Sequence, residues 1–465
     1  MSYADYVSQK LTRVPPTGIA GCKIDDSYLF PHQSALSTWA ARRGRAAIFA
    51  DTGLGKSRMQ LAWANAVAKH AAGPVLILAP LTVAAQTAEE GEAIGIPAHH
   101  VRDRSGISAD DRIIITNYER LHRFDVGSFA GVVLDESSCI KHSDSKTLAT
   151  LIEAFASTPF KLCATATPAP NDWTELGTHA EFLGICTANE MLAEYFAHDG
   201  GDTSKWRLKG HARKAFWQWV CTWGALVRKP SDLGFDDTAY ILPALRTSEH
   251  ILSLNAEAQA QAQGILMALE ASTLSERRAA KRGSLNMRAA ACAEMTNADC
   301  EPWMIWCELN AEADALTDMI PDAVEIRGTD DPDDKERKLT DFVHGRIRVL
   351  VSKPSITGFG VNMQHCANMA FVGATDSFES YYQSVRRCWR FGQKREVNVH
   401  IFIGELEGAI LRNLKRKEAE ALAMAESLSR ETHEAVMAEV IGASKRETNP
   451  YNADKSVSVP SFLRG

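Results

Sequence analysis

The feature that most constrains this chain is a glycine loop at residues 51–57. An apolar run at 46–50 leads into Asp51-Thr52-Gly53-Leu54-Gly55-Lys56-Ser57, and a helix-like stretch through Leu61 and Trp63 follows. Strand, glycine loop and helix in that order make a phosphate-binding loop. Glycines let backbone N–H groups wrap an anion, the lysine reaches its terminal phosphates, the hydroxyl serves Mg2+, and the helix N-terminus faces the negative charge. Ala50 stands where the general pattern has a leading glycine, and its small side chain still permits the turn. Asp51-Thr52-Gly53 also matches half of an aspartic-protease dyad, but its continuation into Gly55-Lys56-Ser57 argues against that chemistry.

Such a loop needs a parallel sheet behind it. Strand candidates at 46–50, 75–79, 113–116, 132–134 and 161–164 alternate with helix-like stretches, the rhythm of a buried parallel α/β sheet. The rhythm breaks between about 186 and 295, where Trp206, Trp217, Trp219 and Trp223 precede an Ala/Gln-rich helical stretch beginning near Leu254. It returns at 304–306, 348–352, 369–372 and 398–402. The expected organisation is an α/β chain with a nucleotide-binding lobe over 1–185, a helical, Trp-rich insertion and connector over 186–295, a second parallel-sheet lobe over 296–430, and a C-terminal tail over 431–465. The tryptophans at 217–223 are expected in the core, at helical spacing, rather than on bases.

Composition narrows the function classes. With 45% hydrophobic and 23% charged residues the chain is far from the signature of disorder, and its 51 Lys+Arg against 58 Asp+Glu leave a net charge of −7. Binding of a polyanion must therefore rest on a local basic face. No apolar run approaches the roughly 18 residues of a membrane helix. Residues 1–10 lack a secretory pattern, so a cytoplasmic location is expected. The 10 cysteines include no Cys-x-x-Cys, which favours reduced, packed thiols and no metal held by thiolates.

A phosphate loop that hydrolyses its ligand needs a carboxylate pair at the end of a neighbouring strand. Val132-Val133-Leu134-Asp135-Glu136-Ser137-Ser138 supplies it. Asp135 can hold Mg2+, directly or through water, and Glu136 can orient the attacking water. A further strand ends in Ala164-Thr165-Ala166-Thr167-Pro168, whose hydroxyls can sense the terminal phosphate.

In this order, Pro31-His32-Gln33, the glycine loop, Asp135-Glu136-Ser137-Ser138 and Thr165-Ala166-Thr167-Pro168 resemble the first lobe of superfamily II helicases. Ser352-Lys353 through Thr357-Gly358-Phe359-Gly360-Val361-Asn362 is similar to the family's fifth motif. Gln383-Ser384-Val385-Arg386-Arg387-Cys388-Trp389-Arg390-Phe391-Gly392-Gln393 is similar to its sixth, in the form typical of the Swi/Snf-like branch. Thr116-Asn117-Tyr118-Glu119 and Arg228-Lys229-Pro230-Ser231-Asp232-Leu233-Gly234-Phe235 agree with that branch. The resemblance spans about residues 28–405, and the overall size is similar to compact phage- and prophage-encoded DEAD/DEAH-box helicases. It implies two RecA-like P-loop lobes and an ATP hydrolase working with ATP and Mg2+.

By resemblance, Gln33 reads adenine. Thr52, Gly53, Leu54, Gly55, Lys56, Ser57 and Arg58, with Gly358, Gly360 and Asn362, line the nucleotide. Ser57 and Asp135 hold the metal, Glu136 serves the water, and Arg387 and Arg390 are arginine fingers from the opposite lobe. Ser138 replaces a common histidine, which puts in question the contacts between the acidic motif and the sixth motif.

Thr82, Thr116, Asn117, Arg327, Gly328, Ser352 and Lys353 are expected to grip a phosphate backbone, contacts that position without reading sequence. Basic clusters at Arg277, Arg278, Lys281, Arg282 and at Arg412, Lys415, Arg416, Lys417 extend that track or form solvated helix faces. The leading expectation is a translocase on DNA, double-stranded by branch, with phage or host replication and recombination proteins as partners. A strand-separating or branch-migrating helicase, and an ATP-switched DNA-binding protein with little turnover, are the alternatives.

Overall fold

The computed structural model describes residues 14–141, 145–169, 172–199, 202–252, 283–357, 361–373 and 377–442. Two all-parallel sheets dominate. The first has seven strands in the order β3 (His99–His100), β4 (Ile113–Asn117), β2 (Val75–Ala79), β5 (Gly131–Asp135), β6 (Phe160–Thr165), β1 (Arg45–Ala50) and β9 (Gly224–Val227), and the second six, in the order β10 (Leu245–Leu252), β15 (Val397–Gly404), β14 (Asn368–Val372), β11 (Trp303–Cys307), β13 (Val349–Ser352) and β12 (Ala323–Ile326). This is the tandem RecA-like arrangement that the sequence implied.

In the first sheet the central strands are β1 (Arg45–Ala50), β2 (Val75–Ala79), β4 (Ile113–Asn117), β5 (Gly131–Asp135) and β6 (Phe160–Thr165). Successive side chains of a strand point to opposite faces. Ala46, Ile48 and Ala50 of β1 therefore join one core with Leu61 and Trp63 of the helix Lys56–Ala71, whereas Ala47 and Phe49 join another with Leu176 and Phe182 of the helix Leu176–Leu183. Burial on both faces explains why these strands read as unbroken apolar runs. In the second sheet, Met304 and Trp306 of β11 (Trp303–Cys307) face one core, and Trp303, Ile305 and Cys307 face the other.

The segment 186–295 departs from the helical connector expected of it. Its helices Ala188–Tyr195 and Arg213–Cys221 flank a hairpin of β7 (Phe196–Asp199) and β8 (Asp202–Leu208); β9 (Gly224–Val227) then pairs with β1, and β10 (Leu245–Leu252) pairs with β15 (Val397–Gly404). The first lobe thus continues past residue 185, because β9 completes its sheet edge. Trp217 and Trp223 are buried in the core, as their spacing suggested. Most of the Ala/Gln-rich stretch, with Arg277, Arg278, Lys281 and Arg282, lies outside the described residues.

The boundary expected near residue 430 is also absent. The helix Gly408–Val436 starts with Ile410, Leu411 and Leu414 in the second-lobe core and ends with Val436 in the first-lobe core. Arg213 pairs with Glu431 at 2.7 Å and Arg43 pairs with Glu439, so this end of the helix is fastened to the first lobe. An apolar side chain placed past the second lobe finds a core to enter only in the first. No helix among the described residues is long and apolar enough to cross a membrane.

Strand order positions the chemistry. β5, β6 and β1 are adjacent, so the loop after β1, the acids after β5 and the hydroxyls after β6 emerge at one edge of the sheet.

Candidate functional site

The phosphate loop turns on two glycines in left-handed backbone, Gly53 at φ +92° and Gly55 at φ +80°. A Cβ on Gly55 would stand 2.2 Å from Gln33 Nε2, so a side chain there would strain the left-handed backbone and displace the Gln33 amide that bonds Leu54 O. Lys56 opens the following helix, and its Nζ donates to the carbonyl oxygens of Ala50 (2.9 Å) and Asp51 (3.4 Å). Burial lowers its pKa, with Glu136, Asp51 and Asp135 opposing that shift. Ser57 and Arg58 follow on the same turn, where Arg58 pairs with Glu90 at 3.0 Å.

Gln33 was expected to read a base, but its amide is spent on the protein. Nε2 donates to Leu54 O (2.9 Å) and to Tyr240 Oη (3.3 Å), and Oε1 accepts from Phe30 N (3.1 Å). In this conformation Gln33 fastens the phosphate loop. The flat faces beside it belong to Phe30, Tyr240 and Phe391, whose ring centroids are 4.8 to 5.7 Å apart. Phe391 comes from the second lobe, with its backbone nitrogen 3.1 Å from where a Gly53 Cβ would lie.

Asp135 is buried, and its Oδ1 accepts from Gln60 Nε2 at 2.6 Å. Burial and the neighbouring Glu136 charge push its carboxyl up to about 6, against Gln60 and Lys56. Gln60 lies one helical turn beyond Lys56, which brings both side chains to the same face and toward the acids. Glu136 Oε2 accepts from Thr165 Oγ1 at 3.4 Å; the Thr167 amide donates to that same Oγ1 (3.1 Å), and Thr167 Oγ1 accepts from Gln383 Nε2 at 3.3 Å. The Gln383 carbonyl in turn accepts from Arg387 Nε at 3.0 Å. The acidic motif therefore reaches the sixth motif through the threonines after β6, and serine at position 138 does not break the path.

The helix Phe378–Cys388 carries two faces into the cleft. Gln383 and Arg387 face the acids; burial lowers the Arg387 pKa while Glu136 and Asp135 oppose it. Tyr382 and Arg386, again four apart, face the phosphate loop. Tyr382 Oη donates to Asp51 Oδ1 at 3.1 Å, and the Arg386 guanidinium bonds to Thr52 O and lies 3.7 Å from Asp51. Sequence reasoning placed Arg386 and Phe391 in the sixth motif without giving them a role, and missed Tyr382, Gln60 and Tyr240. The four-residue spacings were legible, but their partners were not. Burial, then Arg387, lower the Arg390 pKa to about 10.

The residues expected on a nucleic acid do not converge. Thr116, Asn117 and Ser352 are at most 2% exposed, and their side chains bond to Val101 O, Arg120 N and Ile326 O. They are turned inward because each ends a buried strand and satisfies backbone there. Arg327 pairs with Glu325 and Asp314, and Gly328 O accepts from Lys335 at 2.6 Å. Lys353 is half-buried at the end of β13 (Val349–Ser352), and Asn362 N donates to Gln86 Oε1 of the first lobe at 2.9 Å. The Thr82 side chain, Gly358 and Gly360 lie outside the described residues.

Residues 32–199 match the model of the SNF2-related domain, and residues 288–392 match that of the helicase conserved C-terminal domain. Together they indicate an SF2 Snf2-like, helicase-like ATPase. The two matches fall on the two sheets, so the phosphate loop and acids lie in the first matched region and Arg386, Arg387 and Arg390 in the second. No curated protein matches the chain.

Proposed function

We propose that this Snf2-like ATPase couples ATP hydrolysis to movement along DNA, with duplex DNA as its track. The observation that carries the reading is the meeting of two lobes over one phosphate loop: Arg386 on Thr52, and Arg387 beside Asp135 and Glu136. Cations from a second lobe complete a charge-stabilising site only on closure, so a hydrolysis cycle becomes a cycle of lobe movement.

The clustered rings of Phe30, Tyr240 and Phe391, packed edge-to-face and tilted, suit a purine face, and the loop Thr52, Gly53, Leu54, Gly55, Lys56 and Ser57 suits the phosphates. Ser57 and Asp135 offer a hydroxyl and a carboxylate, hard oxygen donors that fit Mg2+ and would hold it. When bound, that ion neutralises charge on the phosphate oxygens. Glu136 orients and deprotonates the water, and Arg387 and Arg390 stabilise the transferring group. A backbone track formed by main-chain atoms near the ends of β4 and β13, extended by Lys353, agrees with the inward side chains there.

The test is steady-state ATP hydrolysis without nucleic acid and with single-stranded DNA, duplex DNA or RNA, beside Glu136→Gln. Strong stimulation by duplex DNA supports the reading. Preferential stimulation by forked or junction substrates would favour a strand-separating or branch-migrating helicase, and a flat, near-zero rate would favour a nucleotide-switched binder.

A further inference from the structure

Glu136 occupies backbone that its residue type rarely adopts. Its φ is +49° and ψ +52°, and among the described residues Ala72 is the only other non-glycine with positive φ. A residue with a Cβ persists there only when its surroundings over-determine it. The relaxing motion is known from geometry: a flip of the peptide between residues 135 and 136 changes ψ of Asp135 and φ of Glu136 together, and it swings the Asp135 carbonyl oxygen away.

That oxygen is held. Tyr118 Oη donates to Asp135 O at 2.7 Å. Tyr118 follows β4, and in the order β4-β2-β5 it must reach past β2, about 10 Å at the spacing of neighbouring strands. Its ring packs against the core on that face of the sheet, which fixes the direction of the hydroxyl. On the other side of Glu136, Cys139 N donates to Glu136 O at 3.1 Å, and Ser137 Oγ pairs with His179 Nε2 at 3.1 Å.

We propose that Tyr118 is a positioning residue for hydrolysis: its hydroxyl holds the Asp135 carbonyl and keeps the 135–136 peptide from flipping, which fixes the left-handed backbone that carries the Glu136 carboxylate. The inference rests on the role proposed for Glu136 above. It also ties the end of β4, beside the proposed nucleic-acid track, to the group that serves the attacking water.

The test is Tyr118→Phe in the full chain, which keeps the ring and removes the donor. The expected result is a kcat for ATP lower by about tenfold, the scale of a mispositioned base. Affinity for a fluorescent ATP analogue should stay within about twofold, and the thermal midpoint should fall only by the few degrees that one lost hydrogen bond costs. In single-turnover measurements on the Glu136→Gln background, Tyr118→Phe should add no further loss, because the positioned group is already gone. An unchanged kcat overturns the proposal, as does an equal loss in the Gln background or a fall in affinity and melting temperature matching the fall in kcat. If the parent chain hydrolyses ATP no faster than Glu136→Gln, the role of Glu136 fails and this inference falls with it. If the parent is active, Glu136 is required and Tyr118→Phe is normal, only the inference fails.

Discussion

The guanidinium of Arg386 donates to the carbonyl oxygen of Thr52, joining the sixth-motif helix of one lobe to the phosphate loop of the other. The same side chain lies over the rings of Tyr382 and Trp389, at 5.8 and 5.3 Å, so its direction is set before it meets the loop. A charge-assisted hydrogen bond contributes about 1.5 to 3 kcal/mol. Arg386→Ala should lower turnover at least about tenfold by loosening closure. Arg386→Lys should recover little, since a point charge does not reproduce the planar fork. Steady-state rates with small-angle scattering check this; unchanged compactness and rate would make the contact incidental.

Binding and chemistry should separate by residue. Lys56→Ala is expected to weaken ATP binding, whereas Glu136→Gln should bind ATP and not turn it over. Arg387→Ala should bind nucleotide and lose about 10³-fold or more in rate, as for an arginine finger. Equilibrium binding of a fluorescent nucleotide beside turnover decides it, and full turnover by the Gln variant would remove Glu136 from its role.

The raised carboxyl of Asp135 gives a pH prediction with a defined sign. Burial lifts it to about 6, so its protonated form favours the folded chain, and that contribution is lost as pH rises through about 6. Activity slopes the other way, because the ionised form is the metal ligand. Turnover should fall as pH drops through about 6, and higher Mg2+ should move that limb to lower pH. Rate against pH at two Mg2+ concentrations measures it, and a limb indifferent to Mg2+ would place the titrating group elsewhere.

The second lobe is held by a buried charge cluster. Arg288 lies 2.8 Å from Glu312 and 3.3 Å from Glu407, with all three side chains fully buried. Arg288→Ala should cost about 3 to 5 kcal/mol, because it leaves two buried carboxylates without their cation. Chemical denaturation of the variant beside the parent reads this directly.

The C-terminal helix makes a prediction of its own. Val436 is buried in the first-lobe core although the helix begins in the second. Val436→Asp should lower the thermal midpoint and reduce turnover together, by detaching that end of the helix. Loss of stability with normal turnover would mean that the helix does not couple the lobes.

By itself the sequence determined the parts built from neighbours in the chain. A strand buried on both faces must be apolar throughout, so β1, β2, β4 and β5 were legible, and so were the loop at 51–57 and the acids Asp135 and Glu136. The segments β9 and β10 were not: β9 is an apolar run of only four residues, and β10 is an edge strand whose side chains are mostly exposed, so it carries a weaker pattern. Tertiary structure alone decided which side chains were free to act. Thr116, Asn117 and Ser352 have the right chemistry for a phosphate backbone, yet their strand ends turn them inward to satisfy buried polar groups. Gln33 is committed to Leu54, and Arg386 to a residue 334 positions earlier in the chain. Local periodicity encodes which face a side chain takes, but the atom it meets across the cleft depends on how two separately folded sheets come together.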